Sequence, residues 1–348
     1  MPHANIPIFI PHMGCPNGCV FCNQRAISGR QSLCMDTVRR EIETVLSTLR
    51  DRSDVEIAFF GGSFTGIDHR LMVELLELAE GYVRTGRVQS IRLSTRPDYI
   101  DGEVLSILSR YSVRHIELGL QSMDDTVLQA TRRGHTAAQA EAACRAVTQA
   151  GFSLVGQMMI GLPQATPKSE RETAERIVAL GAGAARIYPT VVLRNTQLCE
   201  MWERGEYQPL TLDEAIERSA ACLEILEEGG VRCLRIGLCD GETLFHDGKA
   251  VAGPTHPALG ELVQNEYYYR KLRLCLEQKQ LSGKDVVLLA PKREVSRAVG
   301  HGRRNLIKLL RETDTRVIKV VGQEKRNTVD VLLASDFDMN GRRKERCI

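Results

Sequence analysis

Apolar residues recur along this chain in two alternating patterns. Short runs of β-branched and other apolar residues appear at 6–10 (IPIFI), 55–60 (VEIAFF), 90–95 (SIRLST), 115–120 (HIELGL), 152–160 (FSLVGQMMI) and 184–193 (AARIYPTVVL). Between them lie stretches in which apolar residues return every three or four positions. The runs predict strands. The intervening periodicity predicts amphipathic helices over about 36–50, 69–84, 101–110, 124–131, 136–150, 168–180 and 211–228, with VRCLRI at 231–236 as a further strand. Alternation of this kind predicts an α/β fold with a parallel sheet. Six or seven such units suit a partial barrel better than an open nucleotide-binding sheet, although periodicity alone does not separate the two.

Beyond residue 254 the pattern changes. A helical run at 261–278 precedes a strand at 285–290, a helix over about 293–312 and strands at 316–321 and 329–334. These elements predict a small α+β appendage, residues 255–348, beside a core of residues 1–254.

Composition narrows the class. The chain has 348 residues, 43% hydrophobic and 26% charged, enough to bury a core and unlike a disordered chain. A net charge of +2 excludes a uniformly basic coat. Charge is uneven, however: residues 282–348 carry 16 Lys and Arg against 9 Asp and Glu. Arg293, Arg297, Arg303, Arg304, Lys308 and Arg311 recur at roughly helical spacing in the helix expected over 293–312. Such a face suits a phosphate backbone, and they are candidate RNA-binding residues. The alternative is a solvated face whose arginines pair with Glu294 and Glu312. No apolar run approaches the ~20 residues of a membrane span. The N-terminal residues lack the pattern of a secretory signal, so no membrane partner and a cytoplasmic location are expected.

Cysteine usage carries the chemistry. Three of eleven cysteines fall within eight residues, Cys15-Pro-Asn-Gly-Cys19-Val-Phe-Cys22, on a loop rich in turn formers. A closed zinc site or a closed iron–sulfur cluster takes four protein ligands, and the segment supplies three thiols. Three ligands leave one iron open to a non-protein ligand, as a catalytic cluster requires. A zinc knuckle completed by His12 or Cys34, or three thiols without a metal role, are the alternatives. Cys222, Cys233 and Cys239 could suggest a second cluster, but they have no ligand spacing and read as small buried apolar residues. His12, His135 and His301 form no metal constellation and read as structural.

The C-x3-C-x2-C segment resembles the radical S-adenosylmethionine (SAM) enzymes. The resemblance implies a partial (β/α)6 barrel. It also implies that Cys15, Cys19 and Cys22 hold a [4Fe-4S] cluster whose open iron is chelated by SAM, with an external electron donor such as flavodoxin or ferredoxin. The implied chemistry is one-electron cleavage of SAM to methionine and a 5′-deoxyadenosyl radical, which abstracts hydrogen from a substrate. Phe21 matches the aromatic position beside the adenine.

Loops after barrel strands gather at one face, and this sequence places a polar or glycine-rich signal after each of the first five strands. Gly61, Gly62 and Ser63 match the glycine-rich turn that receives the SAM amino group, and glycine lets backbone approach a ligand closely. Arg96 suits the SAM carboxylate, or else pairs with Asp98 at the barrel mouth. Gln121, Arg133 and Gln157 match polar positions around the ribose and the methionine portion.

Longer stretches, LSTRPDYID (93–101), IELGLQSMDDTVLQATRRGHT (116–136) and RIYPTVVLRNTQLCEMWERGEYQPL (186–210), are similar to the radical SAM domain of the Elongator catalytic subunit family. That family modifies the wobble uridine of tRNA with acetyl-CoA as second substrate. The resemblance therefore implies tRNA as a partner and Tyr188, at the end of the sixth strand, as a substrate-facing residue. Two departures stand out. The spacing between the first two cysteines is shorter here, and no acetyl-CoA loop is recognisable after the core. A radical SAM oxidase or transferase acting on a small molecule, as in oxygen-independent coproporphyrinogen oxidases, is the alternative function. An RNA-binding module with a structural metal is the second.

Overall fold

The computed structural model describes residues 4–10, 15, 18–23, 33–49, 54–238, 248–326 and 328–337. His12 and Cys239 lie outside the described residues. The chain forms two compact units, residues 1–218 with 225–255, and residues 219–224 with 256–348.

The first unit is built on strands β1 (Ala4–Ile10), β2 (Val55–Gly61), β3 (Ser90–Thr95), β4 (Val113–Gln121), β5 (Ser153–Ile160), β6 (Ala184–Pro189) and β8 (Arg232–Ile236). They form one seven-stranded sheet in which spatial order follows chain order and every pairing is parallel. An open doubly wound sheet reverses its order at a switch point. This one never reverses, so right-handed crossovers put the helices on one face and the sheet curls around the other. The result is a partial barrel.

The crossover helices are α1 (Met35–Thr48), α2 (His69–Arg84), α3 (Gly102–Leu108), α4 (Asp125–Ala130), α5 (Ala137–Gln149), α6 (Pro167–Ala179), α7 (Gln197–Glu203) and α8 (Leu212–Glu228). Three begin at capping boxes written into the sequence, Thr136 with Gln139, Thr166 with Ser169 and Thr211 with Glu214. The core lies between helices and sheet, where Ile57, Ile91, Leu93, Ile116, Leu118 and Ile187 are fully buried.

The stretch at 184–193 is not one strand. The N–H and hydroxyl of Thr190 both donate to the Ile160 carbonyl, at 2.8 and 2.7 Å, and the chain leaves the sheet there. The short β7 (Val192–Leu193) then pairs antiparallel with β9 (Ala250–Ala252).

The second unit contains α9 (Leu259–Lys279), β10 (Asp285–Pro291), α10 (Val295–Val299), α11 (Arg304–Thr313), β11 (Arg316–Gln323) and β12 (Asp330–Leu333). Its sheet runs β11-β10-β12, parallel on one side of β10 and antiparallel on the other. The continuous helix expected over 293–312 is broken. Gly300, Gly302 and Arg303 take φ of 77°, 58° and 63°. The buried Asn305 amide then donates to the carbonyls of Arg297 and Ala298, closing the end of α10.

The basic residues therefore do not share one helical face. Lys308 pairs with Glu266 at 2.9 Å and sits 4.0 Å over the Tyr269 ring, Arg297 is 4.0 Å from Glu294, and Arg311 is 3.6 Å from Glu312. Arg293, Arg303 and Arg304 are exposed. Among the described residues, no helix is long and apolar enough to cross a membrane.

Candidate active site

The cysteine loop follows β1 and is tied to distant parts of the first unit. The Val20 N–H donates to the Thr131 carbonyl at 3.1 Å, and the Val20 carbonyl accepts from the Leu198 N–H at 2.7 Å. Val20, Val192, Leu198, Cys199 and Tyr207 form a small core beneath the loop, and Phe21 packs against it. Nearby, the Cys22 N–H donates to the Cys19 carbonyl at 3.0 Å.

None of the three cysteines is in a disulfide. Cys15 Sγ lies 3.3 Å from Ser63 Oγ in the turn after β2. That turn is built by Gly61, whose φ is 100°; a Cβ there would come 2.6 Å from the Ile10 carbonyl oxygen. The same oxygen accepts from the Gly62 N–H at 3.1 Å, so the glycine turn is locked to the end of β1.

Cys19 is buried between two guanidinium groups, with Arg133 Nη1 at 3.5 Å and Arg96 Nη1 at 3.8 Å from its sulfur. Arg96 grips Asp98 with two bonds of 2.8 Å and donates to the Arg133 carbonyl at 2.5 Å. The pairing with Asp98, one of the two roles weighed for Arg96, is present. Burial opposes the charge of Arg96, but Asp98 and the Cys19 and Cys15 sulfurs more than restore it and push its pKa up.

Arg133 donates from Nη2 to the Gly119 carbonyl at 2.6 Å, while its buried Nε has no partner. His135, two residues on, places Nδ1 3.3 Å from the Thr136 carbonyl, and its buried Nε2 is also unpartnered. A carbonyl only accepts, so Nδ1 carries the proton. Burial, with Arg133 nearby, pulls the His135 pKa down to about 4.

Gln121 ends β4 at φ 67° beside a register shift, and Gln157 Nε2 donates to its Oε1 at 3.3 Å. At the end of β5, the Gly161 N–H donates to the buried Glu170, held in turn by Arg218, and the Tyr207 hydroxyl donates to the Gly161 carbonyl.

This donor set fits an iron–sulfur cluster with SAM in chemistry: three thiols on one loop, cations beside a sulfur, and buried nitrogens lacking partners. Cys15 and Cys19 meet different loops, however. Among the described residues no three His, Cys, Asp or Glu side chains are gathered closely enough to hold a metal ion.

One group escaped the sequence reading. Gly156 faces Ile177 of α6, so its neighbours on β5 point away from the helices. On that face Glu56 contacts Ser90 and His115 at 2.6 and 2.7 Å and Arg92 at 3.3 Å. Arg186 pairs with Glu117 at 2.9 Å and donates to the Tyr188 hydroxyl at 3.3 Å. A charged residue inside each of four apolar strand runs was the available signal.

Residues 9–177 match the Radical SAM superfamily and residues 183–269 the Radical_SAM C-terminal domain. An uncharacterized protein of Methanocaldococcus jannaschii is 31% identical over 62% of this chain and 69% of its own length. The chain belongs to the radical SAM superfamily, and it is a radical SAM enzyme. It is also related to the tRNA uridine(34) acetyltransferase of M. jannaschii, at 24% identity over 72% of this chain and 52% of that protein. Elongator complex protein 3 of Bos taurus is 26% identical over 59% and 41%. The chain thus spans about half or less of the length of these last two. Among solved structures, Methanocaldococcus infernus Elp3 with an N-terminal deletion superposes with a TM-score of 0.61, at 21% identity over 81% of this chain and 65% of that one. The radical SAM partial barrel is therefore common to both.

Proposed function

We propose that this enzyme holds a [4Fe-4S] cluster on Cys15, Cys19 and Cys22, binds SAM beside it, and acts on tRNA. The observation that carries the reading is the meeting of Cys19, Arg96 and Arg133 at the barrel mouth. When bound, cluster and SAM supply the 5′-deoxyadenosyl radical and methionine. The chain's own residues bind and orient. Arg133, with an unpartnered buried Nε, offers a fixed cationic donor for the SAM carboxylate. Arg96 acts through it, holding its backbone carbonyl. Gly61, Gly62 and Ser63 admit the amino group, Gln121 and Gln157 face the ribose, and Phe21 lies beside the adenine. Tyr188 stands on the substrate side. Flavodoxin or ferredoxin is the class of electron donor.

The tRNA substrate is supported by the relatives named for tRNA uridine(34) and by exposed Arg293, Arg303 and Arg304. The charged face carrying Glu56, Arg92, Glu117 and Arg186 suits a polar nucleoside better than a macrocycle with a large apolar surface.

The test is 5′-deoxyadenosine formation by anaerobically reconstituted protein with dithionite and SAM, with and without bulk tRNA, against Cys19→Ala. Cys19-dependent turnover stimulated by tRNA is expected. Cys19-dependent turnover indifferent to tRNA would leave the radical chemistry standing and remove the substrate.

A further inference from the structure

Barrel interiors are ordinarily filled by branched apolar side chains. Here strand register puts Gln157 beside Arg186 on β6 and Gly119 on β4, all on the face turned from the helices. Glu117, two residues before Gly119, shares that face.

Arg186 is the organising residue. Its Nε donates to Glu117, its Nη1 to the Tyr188 hydroxyl, and its guanidinium lies 5.4 Å over the Phe60 ring. The side chain is only 12% exposed. Among the described residues Nη2 has no partner, and it is absent from the polar atoms sealed from solvent. A buried guanidinium pinned on three sides with one accessible donor edge is fixed in direction before any ligand arrives. Burial works against its charge, but Glu117 and Tyr188 overcome this and push the Arg186 pKa up. The charge is already balanced by Glu117 at 2.9 Å. An anion would add a second negative group beside that carboxylate, whereas a neutral oxygen acceptor takes a hydrogen bond without disturbing the pair.

We propose that Arg186, held by Glu117 and Phe60, is the substrate-positioning donor of the chamber, and that it binds a neutral carbonyl oxygen of the group that reacts. This assignment rests on the radical SAM reading of the same site. It adds a residue and an acceptor chemistry to it.

The test uses the full-length chain labelled with 3-fluorotyrosine, the Tyr188 resonance among the eight tyrosines being the one lost in Tyr188→Phe. Fluorine NMR then reads the Arg186–Tyr188 contact directly, without cluster or turnover. Arg186→Lys and Glu117→Gln are each expected to shift that resonance while leaving the other seven in place. If neither shifts it, the relay from Glu117 through Arg186 is wrong. Uridine, a neutral dicarbonyl, titrated to tens of millimolar is expected to move the Tyr188 resonance saturably in wild type, with the apparent dissociation constant raised about tenfold or more in Arg186→Lys. Inorganic phosphate is expected to leave it unmoved. A response to phosphate alone would overturn the neutral acceptor, and no response to either would overturn the positioning role. These outcomes are independent of 5′-deoxyadenosine formation with tRNA, whose failure would instead remove the tRNA reading.

Discussion

Arg133 Nη1 lies 3.5 Å from Cys19 Sγ, joining residues 114 positions apart in the chain. That donor stands beside the sulfur proposed to ligate iron. Cys19→Ala is therefore expected to abolish 5′-deoxyadenosine formation by at least about 10³-fold and to lower bound iron after reconstitution. Cys34 is exposed and, among the described residues, belongs to no grouping of ligands. Cys34→Ala should load iron and cleave SAM like wild type, and loss of iron in that variant would restore the zinc-knuckle alternative.

Removing Arg96 strips Asp98 of a two-point partner and frees the Arg133 carbonyl. Arg96→Ala should lower unfolding stability by about 2–4 kcal/mol in urea titrations of the anaerobic protein. Asp98→Asn, which keeps the shape and loses the charge, should cost less. Equal losses would mean that packing rather than charge dominates.

Gly61→Ala places a methyl 2.6 Å from the Ile10 carbonyl oxygen at a φ of 100°. Both the backbone angle and the contact are unfavourable, so a loss of at least about 2 kcal/mol is expected. Gly86→Ala, at φ 68° with open space around its Cβ, isolates the strain and should cost about 1 kcal/mol.

The Glu56 carboxyl sits far below its ordinary range. Burial alone would raise it, but His115, Ser90 and Arg92 overcome burial and bring it down to about 2. A depressed carboxylate adds stability above its unfolded pKa of 4.5, and that stability is lost as pH falls through 2. The contribution is about 3 kcal/mol at neutral pH. Glu56→Gln should therefore be less stable at pH 7 and show a flatter loss between pH 4.5 and 2. An unchanged acid profile would show that the ion pairs contribute nothing net.

Lys308 is engaged by Glu266 and Tyr269, whereas Arg303 is exposed. Arg303→Ala should reduce the slope of log affinity against log salt for tRNA by about 0.7–0.9, the value of one phosphate contact. Lys308→Ala should leave that slope unchanged and lower stability. Reversed results would return the phosphate contact to Lys308.

Much of this arrangement was readable in the chain. The runs at 55–60, 90–95 and 115–120 became strands at those positions, and the helices expected over 136–150, 168–180 and 211–228 are those that the structure starts at Thr136, Thr166 and Thr211. Local hydrogen bonding fixes such features, so local sequence carries them. The break at Gly300–Arg303 was less accessible, because periodic apolar residues continue across it and the decisive group is the side chain of Asn305. The Glu117–Arg186 pair was hidden for a related reason. Each residue alone is a charge in an apolar strand, and only the register brings them together across β5.

The bonds of Val20 have a consequence for biosynthesis. The cysteine loop leaves the ribosome before either backbone partner of Val20, since these are Thr131 and Leu198. A nascent chain lacking residue 198 has only one of the two bonds that hold Val20. Loading of the cluster proposed on those thiols therefore belongs to the maturation of a chain whose seven-stranded sheet is already closing, and the three cysteines must stay reduced until Leu198 has been made.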